Sequence, residues 1–234
     1  MSGVRVRVRP SAGPGGRRYA RRVAPTPRRT DATPKRERIQ QDVLRAMEEL
    51  LTEGETYADM GVERIAGRAG ISRTSFYFYF RDKREVLERL TATVADQLYA
   101  AAELWWSGTG IGREALRRSI EEVSALFVEH GPLLRAIVEV GTYERDVAEH
   151  WRGLIGRFVD ATEERILLEQ AAGTAPAFAA RATAFSLVWG VERSLYQQFV
   201  QGEVFAPTEL VEAISSMWLR AIYGRVDPAV VDPD

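Results

Sequence analysis

From Thr33 to Tyr223 the apolar side chains recur every three or four residues in segment after segment, and Gly or Pro punctuates the gaps between them. Only helices with one buried face each satisfy that period, and the signals of a half-buried strand are absent from the span. The first segment opens at Thr33-Pro34, where threonine can cap free amides and proline sits at N1 with its torsion already helical. Ile39, Val43, Met47, Leu50 and Leu51 share one face, and Gly54 stops the helix. Two short pieces follow, VERIAGRAG and ISRTSFYFYF, joined through Gly70-Ile71-Ser72. Asp82, Lys83 and Glu85 then look like a capping box, aspartate at N-cap and glutamate at N3, that opens a long fourth helix to Trp106. Periodic segments at 112–130, 132–141, 143–171, 176–201 and 207–223 bring the expectation to nine helices and no sheet, an all-α fold.

Composition narrows the chemistry. The absence of cysteine excludes disulfide scaffolds, thiolate metal sites and cysteine nucleophiles, and leaves only His130 and His150 to offer imidazole. We expect no metal and no cofactor. No stretch of about 18 apolar residues is free of charge, and the start lacks the apolar core of a secretory signal. A soluble, cytoplasmic protein without membrane contact is the expectation.

The net charge of −1 conceals a gradient. Residues 1–34 carry nine arginines against Asp31, residues 35–90 balance to zero, and residues 91–234 sum to −9. Such an end-to-end asymmetry suggests a charged partner, which for a basic arm is usually nucleic acid. The arm itself, rich in Arg, Pro, Gly and Ala, has too little bulky apolar surface to offset ordering, and its VRVRVR alternation has no hairpin partner. The expected organisation is a disordered basic arm at 1–33, a helix-turn-helix domain at 34–82, a helical domain at 83–225 and a disordered tail at 226–234.

The most specific chemistry lies in AGISRTSFYFYFRDKREVL. Ser72 can cap the third helix, so Arg73, Thr74 and Ser75 fall at the end that enters a major groove. Arginine can pair with guanine through two bonds, hydroxyls reach bases or phosphates, and the threonine methyl packs on thymine. Phe76 and Phe80 should pack against Ile65 and Ala69. Tyr77 and Tyr79 keep hydroxyls for phosphate, Phe78 can touch thymine methyls or sugar, and Lys83 would clamp a phosphate at the start of the fourth helix.

In spacing, Ile65, Ala66, Ala69, Gly70, Ser72, Tyr77, Phe80 and Lys83 reproduce a known helix-turn-helix signature. The block resembles that of the TetR family of transcriptional regulators. FYFYF, Glu192-Arg193, Trp151, Trp218 and the ending AIYG extend the likeness, more weakly, to the ethionamide-resistance regulator branch, over everything but the arm. The resemblance implies a homodimer that binds a double-stranded DNA operator and carries a small-molecule pocket in its C-terminal domain. Two departures stand out. Gly61-Val62 replaces a capping hydroxyl at the second helix, and Val188 and Val191 fall where that branch places pocket asparagines.

Helix 143–171 sets Val147, Trp151, Ile155, Phe158 and Thr162 in one stripe, and helix 176–201 offers Phe185, Val188, Trp189, Glu192, Leu195, Tyr196 and Phe199. Periodicity alone reads such stripes as core. The resemblance adds a second reading, an apolar effector site drawn from Leu126, His130, Ile137, Trp151, Ile155, Phe158, Thr162, Phe185, Val188, Trp189, Glu192 and Tyr196. Glu192, Thr162 and Tyr196 are its polar groups. Glu192-Arg193 also reads as a salt-bridged pair, His130 as an ordinary helix-end residue, and His150 as an exposed one. By the same resemblance, Leu195, Phe199, Leu210, Ile214, Met217, Trp218 and Ile222 would pair with a twin to form a dimer interface.

Two other functions fit parts of the chain. A helical-bundle enzyme acting on an apolar substrate could use Glu192, Glu163 or His130, but no HExxH, Gly-rich phosphate loop or nucleophile elbow is present. A nonspecific architectural DNA binder would account for the arm and leave the acidic helical domain unexplained. Whether the arm touches DNA, and whether the regulator represses or activates, the residues leave open.

Overall fold

The computed structural model describes residues 32–108 and 112–224, and among them there are nine α-helices and no strand. The basic arm up to Asp31 and the tail at 226–234 lie outside the described residues. Three helices form the head: α1 (Ala32–Thr52), α2 (Val62–Arg68) and α3 (Arg73–Tyr79). Six form the body: α4 (Lys83–Trp106), α5 (Arg113–Glu129), α6 (Gly131–Val140), α7 (Arg145–Ala171), α8 (Ala180–Leu195) and α9 (Pro207–Tyr223). The last turn before the α8–α9 loop, Tyr196–Gln201, is wound as a π-helix.

Head formation follows from the buried faces. Val43, Met47 and Leu50 of α1, Ile65 and Ala66 of α2, and Phe76 and Phe80 around α3 all join one core cluster. Phe76 and Phe80 have ring centroids 5.6 Å apart and are both sealed from solvent. Truncating either ring to alanine would cost about 3–5 kcal/mol. Gly70, at φ +70°, makes the sharp turn between α2 and α3 that an L side chain resists. Arg64 to Glu55, at 2.6 Å, and Arg68 to Glu53, at 2.6 Å, lace α2 to the end of α1 across the surface.

Several boundaries differ from the sequence expectation for identifiable reasons. Helix α1 is already helical at Ala32, so Thr33 lies inside the first turn, and Pro34 falls where its missing N–H would have no partner anyway. At the fourth helix Asp82 Oδ1 accepts from the Glu85 amide at 2.9 Å as a capping box requires. The Glu85 carboxylate, however, accepts from the amide of Arg81, one residue before the cap, at 2.8 Å. Helix α8 starts at Ala180 and not at Pro176, because the Gln170 carboxamide holds the carbonyls of Pro176 (3.0 Å) and Phe178 (3.2 Å) in a turn. Its π-wound end buries Gln198, whose carboxamide donates to Phe205 O at 2.7 Å and accepts from the amides of Val204 and Phe205.

Helix α4 joins the two halves. Its 24 residues span roughly 36 Å, and it packs on α1 in the head and on α5, α6 and α7 in the body. Near its start Arg84 reaches Glu144 at 3.3 Å and Asp146 at 3.2 Å, and the half-buried His150 ring lies 3.1 Å from Glu88 O. Beyond its end Arg165 of α7 donates to Gly108 O and pairs with Glu169 at 2.5 Å, both side chains being buried.

A second tie between head and body is ionisable. His130, buried at the junction of α5 and α6, places Nδ1 2.6 Å from Glu48 Oε1 of α1. That hydrogen bond outweighs the effect of burial and raises the imidazole above its ordinary value of 6.5. A raised folded-state value means that the stabilisation is complete below 6.5 and is lost as pH rises through the folded value. We expect the urea midpoint of unfolding to show that loss in the native chain and to lack it in Glu48→Gln. Identical pH profiles for the two proteins would rule out a contribution from this pair.

Candidate DNA-reading head and effector cavity

Serine caps the reading helix as its spacing suggests. Ser72 is extended (φ −75°, ψ 156°) and its Oγ accepts from the Ser75 amide at 3.1 Å, so α3 presents its first residues to solvent. Arg73, Thr74, Tyr77 and Phe78 are exposed, while Ser75 and Tyr79 are half-buried. The Phe78 ring is 78% exposed, an unusual position for a phenylalanine in a helix whose opposite face, at Phe76, is completely buried. Arg73 lies with its guanidinium 5.8 Å from the Tyr77 ring centroid and 2.7 Å from Glu63 of α2. Tyr79 stacks under Arg36 of α1 at 5.7 Å.

Lys83 takes a different place from the phosphate clamp expected of it. Its ammonium donates to the carbonyls of Tyr57 (2.7 Å), Ala58 (3.2 Å) and Met60 (2.9 Å) and sits 4.4 Å from the Tyr57 ring centroid. An ammonium has three N–H donors, so the turn between α1 and α2 uses all of them. Partial burial lowers the pKa of Lys83, and the carboxylates of Asp59 and Glu144 work against that shift. Lys83 is thus a staple between the α1–α2 turn and the first residue of α4.

In the body a cavity of about 80 Å³ opens between α4, α5, α7, α8 and α9. Leu98, Ala102, Trp105 and Trp106 form its α4 wall, and Leu116, Ile120, Val123 and Phe127 its α5 wall. Ile155, Phe158, Val188, Val191, Glu192 and Trp218 close it. Trp105 and Trp218 meet edge to face at 5.5 Å, and the half-buried trio Tyr99, Trp106 and Phe158 stacks at its margin with centroids 4.6–5.7 Å apart. Drug-sized ligands need about 300 Å³ or more, so the space admits a large ligand only if its walls move.

Four residues of the sequence-derived effector set line this cavity: Ile155, Phe158, Val188 and Glu192. Phe185 does not. It points outward, 55% exposed, because two residues of helix turn it about 160° from the buried Leu187. Ile137, Trp151 and Trp189 lie around a separate shallow groove with Arg193. Leu126 packs against the core, Thr162 is fully buried, Tyr196 accepts from Gln201 at 2.9 Å, and His130 is held by Glu48. Sequence reasoning missed the α4 and α5 walls. Leu116, Ile120, Val123 and Phe127 do recur every three or four residues, but a cavity wall and a core stripe have the same period.

Of the residues expected at a dimer interface, Leu195, Ile214, Trp218 and Ile222 are buried within the chain itself. Phe199 and Leu210 are half-buried, and Met217 is 45% exposed. Their neighbours supply the open apolar surface: Phe185 on α8, whose ring lies 6.2 Å from that of the half-buried Trp189, and Ala213 and Ala221 beside Met217 on α9.

The staple geometry of Lys83 gives a direct test. Lys83→Met should lower stability by about 1–3 kcal/mol in urea titrations, as expected for hydrogen bonds from a charged group. A variant as stable as the parent that bound DNA less tightly would return Lys83 to the phosphate-clamp role.

Known proteins match both halves of the chain. Residues 44–90 match the family described as bacterial regulatory proteins, tetR family, and residues 116–224 match the C-terminal domain of the transcriptional regulator EthR. The HTH-type transcriptional regulator EthR of Mycolicibacterium smegmatis is 31% identical over 209 residues, covering 86% of this chain and 94% of the relative. Its namesake from Mycobacterium tuberculosis is 31% identical over 184 residues, with 77% and 85% covered. Among solved structures, a TetR-family regulator from Syntrophomonas wolfei superposes with a TM-score of 0.65 at 17% identity, covering 86% of this chain and 99% of that one. The regulator FadR of Bacillus subtilis, solved with stearoyl-CoA, gives a TM-score of 0.62 at 14% identity, covering 81% and 99%. No helix among the described residues is long and apolar enough to cross a membrane. With its helix-turn-helix head and EthR-like body, the chain belongs to the TetR family of DNA-binding transcriptional regulators.

Proposed function

We propose that this regulator is a cytoplasmic, homodimeric repressor that holds a double-stranded operator through α3 and releases it when a small apolar effector enters the α4–α5 cavity. One observation carries the reading: α4 begins at the staple under the reading head and ends as a cavity wall at Leu98, Ala102, Trp105 and Trp106. An apolar ligand larger than the 80 Å³ space must push on that wall. Such a ligand weakens DNA binding only as far as it prefers the released form, and a coupling of about 1–3 kcal/mol is a 5- to 150-fold loss of affinity.

At the DNA end, Ser72, Arg73, Thr74, Tyr77 and Phe78 make the exposed contact surface, with Ser75 and Tyr79 behind them. Arg73 reads a base after leaving Glu63, an exchange that costs little because both side chains are more than half exposed. The dimer forms through the outer faces of α8 and α9, where Phe185, Trp189 and Met217 give the apolar contact that the buried Leu195, Ile214 and Ile222 cannot. The FadR structure with stearoyl-CoA supports, by analogy of fold alone, a body that accommodates an apolar chain.

The test is operator binding followed by fluorescence anisotropy on the DNA upstream of the protein's own gene. Arg73→Ala should cost about 1–3 kcal/mol and relax one operator position. A loss equal across all sequences would remove Arg73 from base reading.

A further inference from the structure

Glu192 stands out in the body because its carboxylate is buried without an aligned hydrogen bond. The side chain is 4% exposed, and neither carboxylate oxygen has a hydrogen-bond partner. It is also the one charged residue among those that line the α4–α5 cavity. Arg193 forms the salt bridge its adjacency suggests, Nε lying 3.7 Å from Oε2, but its side chain is half exposed and outside the cavity lining. The Trp151 indole eases the charge without forming an aligned hydrogen bond, and burial raises the carboxyl above its ordinary value.

The remaining walls are mostly apolar, and the aromatic ones carry the electrostatics. Trp105, Trp106, Trp218, Phe127 and Phe158 surround the space, and an aromatic face is negative at its centre. Of the other polar groups on the lining residues, the Ser119 hydroxyl already donates to Ala102 O at 3.5 Å, and the indole N–H groups of Trp105 and Trp218 are buried without a partner. A buried carboxylate without a donor costs several kcal/mol, and a cation with N–H groups is the partner that removes the cost most completely. A second carboxylate would add to the cost, and an alcohol O–H can donate one hydrogen bond but brings no opposite charge.

We propose that the effector is a lipophilic organic cation, an apolar or aromatic body bearing a protonated amine that pairs with Glu192 while the rings enclose the rest. This rests on reading the cavity as the effector site. It assigns that site's recognition to charge as well as shape.

The experiment compares matched probes with the full-length protein: 2-phenylethylamine against 2-phenylethanol, and 4-phenylbutylamine against 4-phenylbutanol. Binding is read by quenching of tryptophan fluorescence, since three of the five tryptophans line the cavity, and by the shift in melting temperature. We expect each amine to bind at least about tenfold more tightly than its alcohol, and the pair to bind alike in the isosteric Glu192→Gln. Equal binding of amine and alcohol to the parent protein would overturn the cation inference and leave the cavity reading intact. An amine preference that survives in Glu192→Gln would overturn the assignment to this carboxylate. If none of the four compounds bound, the cavity reading itself would fall and the inference with it. The parent comparison needs no variant, so poor folding of Glu192→Gln would not rescue the idea.

Discussion

Lys83 spends its three ammonium donors on the carbonyls of Tyr57, Ala58 and Met60, and this contact fixes the head to the start of α4. The orientation of the reading helix depends on it. Helix α3 is only seven residues long and cannot be stable alone, so its direction is set by Phe76 and Phe80 beneath it and by the turn that Lys83 holds. Arg84 and the Asp82 cap fasten the same end of α4 to the body and to its own first turn. The head is thereby mounted on a rod, with the His130–Glu48 bond as a second strut from α1 to the α5–α6 junction.

The far end of that rod borders the 80 Å³ cavity. Around the cavity, Trp105 and Trp218 meet edge to face, while Tyr99, Trp106 and Phe158 stay half-buried. Beside it Arg165, paired within α7 to Glu169, bonds Gly108 O and lies 5.8 Å from the Trp105 ring centroid, tying α7 to the end of α4. The buried Glu192 carboxylate, without an aligned hydrogen bond, adds a destabilised group to the same place, and unsatisfied groups in an otherwise well-paired fold concentrate at functional sites.

Much of this was legible in the residues. The head was, because Ser72, Gly70, Phe76 and Phe80 each have a local physical job that spacing reveals: a cap, a left-handed turn and two buried rings. The body's helices were, because their period and their Gly/Pro stops are local too. The cavity was legible only in part. Ile155, Phe158, Val188 and Glu192 were recognised, but the α4 and α5 walls were not, since Leu116 and Phe127 line a void in the same register in which they would line a core. Lys83 shows the other limit. Its position in the signature suggests a phosphate, and only the fold brings three carbonyls from the α1–α2 turn, more than twenty residues earlier in the chain, within reach. Phe185 is exposed and Trp218 lines the cavity for a similar reason, because which helix face is covered depends on how α8 and α9 lie on one another.

The central claim is that the state of the cavity sets the spacing of two reading heads through α4. The chain has no cysteine, so Thr74→Cys gives a single exposed label site on each reading helix. The decisive measurement is the label-to-label distance in the dimer by pulsed electron paramagnetic resonance, with and without Val188→Trp, which fills the 80 Å³ space. With Val188 in place the distance should suit successive half-sites, about 34–36 Å apart or a multiple of that. With the indole in the cavity it should shift by several Å, as elements displaced at packed interfaces do. An unchanged distance in a well-folded Val188→Trp protein would contradict the account.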